Sequence, residues 1–198
     1  GFTLLEALEK FVKPPKRAPE APLRIPISGV YNIKGVGAII TGRLEQGTAK
    51  VGDEIAFTPC AISGCKMFSI EMHHKKYETA QPGDNIGMSV KGLAKDNMPK
   101  SGDVIFKPSE GSCTAVKSFT AMVNVQDHPG QLKNGFCPII HVRTSKVACK
   151  MTKISWKMGK KTGNEKQNDP PFLERGENAE VVFEPTKPLF LEAFEKTP

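Results

Sequence analysis

Gln81-Pro-Gly-Asp-Asn-Ile-Gly-Met-Ser-Val90 joins a tight turn to a strand. Pro82-Gly83-Asp84 supplies the turn: glycine accepts positive φ, and an acidic side chain bonds back to the backbone. Beyond it, apolar and small or polar residues alternate, as in a strand with one buried face. The same device recurs in Val51-Gly-Asp-Glu-Ile55, Ser101-Gly-Asp-Val-Ile105 and Arg175-Gly-Glu-Asn-Ala179. Many short strands with regular turn signals predict an all-β chain, a barrel or a sandwich. Residues 82–90 and 175–183 share the order turn, glycine, acid, asparagine, alternating apolar residues. Two related β domains would produce that likeness, and so would chance convergence on one turn.

Just upstream stands Phe68-Ser-Ile-Glu-Met-His-His-Lys-Lys76, read as a strand ending in polar groups. Continued alternation would put Glu71 and His73 on one face and Met72 and His74 on the other. Asn85 opens the return strand beside them. One carboxylate, two imidazoles and an amide beside apolar residues can hydrogen-bond the hydroxyls and base of a nucleotide. They can equally be an ordinary polar strand end.

Towards the N-terminus, Thr3-Leu-Leu-Glu-Ala-Leu-Glu-Lys-Phe11 has helical apolar spacing, with Thr3 and Glu6 placed as a capping box. A helix this short does not stand alone, so residues 1–12 are expected to close something upstream. Lys13-Pro-Pro-Lys-Arg-Ala-Pro-Glu-Ala-Pro22 holds four prolines and predicts an extended linker over 13–22. Strand-like runs fill 23–108. The polar stretch Phe106-Lys-Pro-Ser-Glu-Gly-Ser-Cys113 marks a boundary, and β character resumes over 109–198. The closing run Leu189-Phe-Leu-Glu-Ala-Phe194 is apolar for the end of a finished barrel, and predicts that further strands follow in a longer protein.

The 198 residues carry a net charge of +7, which makes nucleic acid the first partner to consider. Between Arg143 and Lys166 eight basic residues (Arg143, Lys146, Lys150, Lys153, Lys157, Lys160, Lys161, Lys166) face one acid, Glu165. That stretch is a basic interface or a solvated lysine-rich face. Apolar runs such as Gly37-Ala-Ile-Ile40 are far too short for a membrane-spanning helix. No signal peptide is evident. Five scattered cysteines (Cys60, Cys65, Cys113, Cys137, Cys149) fit a reducing cytoplasm rather than a disulfide framework.

Catalytic motifs are missing. Gly159-Lys-Lys-Thr162 lacks the earlier glycine of a phosphate-binding loop, Ile154 standing in its place. No G-x-S-x-G elbow occurs. His73 and His74 are strand neighbours that cannot readily share a metal, and Cys60 and Cys65 have no second pair, so no metal ligand and no catalytic residue is assigned. A binding module is the expectation.

Several strings resemble the elongation factor 1-alpha and elongation factor Tu family of translational GTPases. They are Val30-Tyr-Asn-Ile-Lys-Gly-Val-Gly37, Thr41-Gly-Arg43, Val51-Gly-Asp-Glu-Ile55, Glu71-Met-His-His74, Pro82-Gly-Asp-Asn85 and His128-Pro-Gly130. Cys60-Ala-Ile-Ser-Gly-Cys-Lys-Met67, Lys95-Asp-Asn-Met-Pro99 and Lys153-Ile-Ser-Trp-Lys-Met-Gly-Lys160 depart from the common pattern. They are similar to the divergent elongation factor-like branch of some eukaryotes. The resemblance implies two consecutive β-barrels, the family's second domain over 23–108 and its third over 109–198, the latter without its last strands. It makes 1–12 the closing helix of a GTP-binding domain, with GTP and magnesium bound in that absent domain and no cofactor here. It implies a monomeric cytoplasmic factor that delivers aminoacyl-tRNA to the ribosome, is recharged by a guanine nucleotide exchange factor and has no membrane partner.

Residue by residue, the family's pocket for the aminoacylated 3′ end of tRNA maps onto Glu71 for the ribose 2′-hydroxyl and Asn85 near the aminoacyl ester. His73 and His74 map onto its lining, the bacterial form having arginine where His74 stands. Ile33, Gly35 and Ile39 map onto the wall against the adenine. Arg143, Thr144, Gly176 and Glu177 map onto contacts with the tRNA T stem, and Trp156 is a candidate for stacking on RNA or for the barrel itself. The same barrels in a release-factor partner or a ribosome-rescue GTPase would present a protein instead of tRNA. A module that binds only proteins, such as exchange factors or cytoskeletal filaments, is the third reading.

Overall fold

The structure is a computed structural model. It describes residues 1–195 except Pro14, Val36, Lys95, Lys161, Thr162 and Asn164. One of the eight clustered basic residues, Lys161, therefore lies outside the described residues, as does Thr162 of the loop string.

Helix α1 spans Leu4–Phe11, and its capping box forms as the sequence predicts: Glu6 N–H donates to Thr3 Oγ1 and Thr3 N–H to Glu6 Oε2. None of its residues is buried, so the Leu4, Leu8 and Phe11 stripe is bare. No described helix is long and apolar enough to cross a membrane.

The first β unit comprises β1 (Ile25–Ile33), β2 (Gly37–Arg43), β3 (Ala49–Lys50), β4 (Glu54–Thr58), β5 (Ile62–Met72), β6 (Lys75–Tyr77), β7 (Thr79–Ala80), β8 (Asn85–Lys91) and β9 (Val104–Phe106). Its main sheet runs β4-β9-β1-β2-β8-β5-β6, and a further β4–β5 pairing closes six of these strands into an antiparallel barrel. Alternation sets what fills it. Along β8, Ile86, Met88 and Val90 point inward while Asn85, Gly87, Ser89 and Lys91 point out. Leu23, Ile25, Ile27, Ile40, Phe57 and Met67 join the inward set in one core.

The four Gly-acid turns share one construction. Gly52, Gly83, Gly102 and Gly176 all have positive φ, between 82° and 99°. In each, the following acid accepts from the N–H three residues before it: Lys50 to Asp53, Gln81 to Asp84, Lys100 to Asp103 and Glu174 to Glu177. The acid's own N–H returns to the carbonyl of that same residue.

The second β unit comprises β10 (Phe119–Asn124), β11 (Leu132–Lys133), β12 (Ile139–Val142), β13 (Ser145–Met158), β14 (Gln167–Asn168), β15 (Phe172–Leu173) and β16 (Asn178–Pro185). Strands β10-β16-β13-β12 form a curled sheet with β14 on β13, and β11 pairs with β15. Its edges do not meet. The concave side holds an apolar cavity of about 1020 Å³ lined in part by Phe119, Val123, Ile140, Phe183, Leu191 and Phe194. This is a curled half-barrel, so the chain is all-β with two consecutive barrel-type units, as the sequence predicts.

The two β units touch directly. Buried Arg24 grips Glu192 through both Nε and Nη2, at 3.0 and 2.7 Å. A Cβ on Gly102 would lie only 3.1 Å from Ser145 Cα, so side-chain-free backbone is what lets that turn approach β13.

Candidate nucleic-acid interface

Strand β5 stops at Met72, where the alternation assumed from sequence ends. His73 and His74 form the two-residue turn of the β5–β6 hairpin, closed by the Met72–Lys75 pair. Both are left-handed, with φ of 50° and 63°. Two successive left-handed residues suit the twist of a tight hairpin, and histidine is among the residues that enter that region more readily. Glu71 and His73 thus do not share a strand face by periodicity; the turn brings His73 round to the same site.

That site is a cavity of about 350 Å³ on the outer face of the barrel, lined by residues that include Thr41, Glu71, His73, Asn85 and Gly87. Its geometry follows from register. Gly87 pairs with Thr41 on one side and Glu71 on the other, so a residue without a side chain lies between a hydroxyl and a carboxylate. Asn85 pairs with Arg43 one step outward along the sheet face. A Cβ built on Gly87 would meet nothing nearer than Glu71 O at 3.9 Å, so the floor is open. Lys76 stands opposite Glu71 in register. Glu71 and Asn85 are both exposed, on the same side of the barrel.

Three of the seven residues assigned to the 3′ end therefore converge: Glu71, His73 and Asn85. The other four do not line this cavity. His74 occupies the outer turn position and is exposed. Gly35 sits in the β1–β2 turn with φ 86°, and Ile33 is at the end of β1, 47% exposed. Ile39 pairs with Tyr31 and Ser89, one outward-facing step from Thr41, so it borders the slot without entering it. The glycine at the floor is Gly87. It and Thr41 were missed, although the spacing Asn85-Ile86-Gly87 already placed the glycine on Asn85's face.

A second depression of about 400 Å³ adjoins the first, sharing Met72 and His73 and adding Arg17, Tyr77, Thr79, Gln81 and Asp84.

In the half-barrel the four expected T-stem residues do not gather. Arg143, left-handed at φ 53° and exposed, makes the β12–β13 turn with Thr144 just before Ser145. The Thr144 hydroxyl is buried without a hydrogen-bond partner. Gly176 and Glu177 lie at the other end of β13, where the Gly176 carbonyl is 3.3 Å from a Cβ built on Gly159. Glu177 is 2% exposed and its carboxylate is 2.9 Å from the ammonium of buried Lys157, so it is structural and does not face solvent. The basic stretch divides accordingly. Lys157 is interior, Lys153 pairs with Asp169 at 3.3 Å, and Lys166 lies 4.7 Å over the half-buried Trp156 ring. Lys153 and Lys166 are nonetheless exposed, as are Arg143, Lys146, Lys150 and Lys160. Among the described residues no group of three or more His, Cys, Asp or Glu side chains could hold a metal ion.

A closed barrel followed by a second β unit is the arrangement of two consecutive domains of translation elongation factors. Residues 37–106 match the family model described as elongation factor Tu domain 2, and residues 118–198 match the GTP-eEF1A C-terminal domain-like model. The chain belongs to the elongation factor 1-alpha and elongation factor Tu family, of which it carries the second and C-terminal β domains. Elongation factor 1-alpha of Archaeoglobus fulgidus is 42% identical over 198 residues, all of this chain and 46% of that protein. The Saccharolobus solfataricus protein of the same name is 44% identical over the whole chain and 45% of its own length. This chain thus spans about half the length of the curated relatives it matches. A crystal structure of sup35 complexed with GDP superposes with a TM-score of 0.80 at 24% identity, covering all of this chain and 47% of that one, a likeness of fold.

Proposed function

We propose that the chain is the tRNA-binding part of a translation elongation factor that delivers aminoacyl-tRNA to the ribosome. The slot beside Gly87 receives the aminoacylated 3′ nucleoside. Glu71 accepts from the ribose 2′-hydroxyl, Asn85 is near the aminoacyl ester, and His73 borders the sugar. A contact to the 2′-hydroxyl distinguishes RNA from DNA. The observation that carries this reading is the convergence of Glu71 and Asn85 on one open slot floored by glycine. In this reading GTP and magnesium are held by the parent's first domain. The parent works in the cytoplasm as a monomer, with the ribosome and an exchange factor as partners. On the half-barrel, exposed Arg143 with Lys146 and Lys150 is a part of the basic stretch placed to meet an RNA backbone, alongside exposed Lys160 at the far end of β13.

The test uses a stable amide analogue, 3′-aminoacylamido-adenosine, and its 2′-deoxy counterpart, titrated calorimetrically against wild type and Glu71→Gln. Loss of one charge-assisted hydrogen bond should weaken the 2′-hydroxyl ligand by roughly 1–3 kcal/mol in the variant, with little further loss for the deoxy ligand. Equal affinity of wild type for the two ligands would remove the role given to Glu71.

A further inference from the structure

The linker does not run free of the first barrel. Gly47 N–H donates to Ala18 O at 2.9 Å, Thr48 Oγ1 to Pro19 O at 3.1 Å and Gln46 Nε2 to Pro22 O at 3.0 Å. The contact continues as main chain: Arg24 N–H donates to Gln46 O and Glu45 N–H to Arg24 O, both at 3.0 Å. Gly47 is the tightest point. A Cβ there would lie 2.6 Å from Leu23 Cα and 2.8 Å from Ala21 O, and its φ is 80°, so only glycine lets the linker close down. Residues 18–24 are thus strapped along one side of the segment 44–48.

The other side of that segment holds the turn that precedes the slot. Leu44 N–H donates to Asp84 O at 2.9 Å, and Gly83 N–H donates to Leu44 O at 2.7 Å. Asn85 follows at once, paired with Arg43. Arg17, just ahead of the strap, lies across the same turn, its guanidinium carbon 3.1 Å from where a Gly83 Cβ would be. Hydrogen bonds therefore lead from the linker through the segment 44–48 and the 82–84 turn to a residue that lines the Glu71 slot. Asn85 is exposed at the first position of its strand, so the turn does more than packing to hold it.

We infer that the strap positions Asn85. Gln46 and Thr48 fasten the linker, and the fastened linker fixes the turn that presents the Asn85 amide to the slot. A group already held in its binding geometry loses less freedom when the ligand arrives. Gln46 and Thr48 are therefore positioning residues: neither lines the slot, and both act on it through Asn85. The inference rests on the proposed reading of the slot. It makes the second half of the linker part of the binding apparatus rather than a spacer.

The experiment unfastens the strap in the full 198-residue chain. Thr48→Val combined with Gln46→Leu keeps side-chain volume and removes both side-chain donors to the linker. Amide exchange is read first, without ligand. The Leu44 and Gly83 N–H groups should exchange faster in the double variant, while the Ile27 N–H, bonded to Asp103 O in the same barrel, keeps its rate. The double variant should then bind 3′-aminoacylamido-adenosine about fivefold more weakly, the worth of one hydrogen bond. Thr48→Ser, which retains the hydroxyl, should bind like wild type. With Asn85→Ala already present, the double change should cost no further affinity, because the strap works through that amide. Unchanged exchange at Leu44 and Gly83 overturns the strap, and so does acceleration that reaches Ile27 equally. An equal loss of affinity on the Asn85→Ala background overturns the positioning role. A wild type that does not bind the ligand, or Asn85→Ala that binds it like wild type, overturns the reading of the slot and the positioning role with it, and the exchange rates alone then decide whether the strap holds the turn.

Discussion

The Lys157 ammonium lies 2.9 Å from the Glu177 carboxylate, with both residues withdrawn from water. The second Glu177 oxygen accepts the Glu174 N–H at 2.7 Å, so the carboxylate also closes the last of the four Gly-acid turns. The pair ties the end of β13 to the turn that starts β16. Removing one partner strands a buried charge.

Glu177→Ala should therefore destabilise the half-barrel by roughly 3–5 kcal/mol, while joint replacement by Lys157→Met and Glu177→Leu should cost less than that single change. Denaturant unfolding of the three proteins measures both numbers. If Glu177→Ala keeps the wild-type midpoint and instead weakens RNA binding, the residue belongs to the surface after all.

Gly87 has the opposite relation to its surroundings: room above it and partners on both sides. A valine there favours the strand, and its Cβ meets only Glu71 O at an ordinary 3.9 Å, while its methyls fill the space between Thr41 and Glu71. Gly87→Val should fold with a midpoint close to wild type and bind 3′-aminoacylamido-adenosine at least about tenfold more weakly, a loss of roughly 1.4 kcal/mol or more. Unchanged affinity would place the ligand elsewhere.

Gly87 also shows what was legible in the sequence. Turn chemistry and period-two alternation are local, so the strands, the Gly-acid turns and the capping box of α1 could be read directly. Register is not local. That Gly87 lies between Thr41 and Glu71 depends on pairings across β2, β8 and β5, which no single segment encodes. The His73-His74 turn was missed because its residues are not the Asn-Gly pair that usually announces one. A strand of the same composition would carry both imidazoles on alternate faces. Burial of Lys157 was hidden for a related reason. In a lysine-rich run each residue looks solvated, and only the arrival of Glu177 from the turn before β16 selects one for the interior.

Cys60 gives a prediction in pH. Burial, followed by the hydrogen bond to and the negative charge of Asp103, pushes its thiol up to about 12 from an ordinary 9.0. A raised thiol pKa means that the folded chain disfavours the thiolate. The resulting contribution to stability is complete below pH 9, where the unfolded chain also keeps its proton, and declines as pH rises from about 9 towards 12. Cys137, by contrast, is exposed. At pH 8 iodoacetamide should modify Cys137 readily and leave Cys60 intact, because the thiolate is the reacting form and is about a thousandfold scarcer for each three-unit rise in pKa. Peptide mapping after timed alkylation reads the two rates separately, and Cys60→Ser should flatten part of the stability loss above pH 9. Comparable labelling of the two residues in the folded chain would mean that partial burial and Asp103 do not hold the Cys60 thiol protonated.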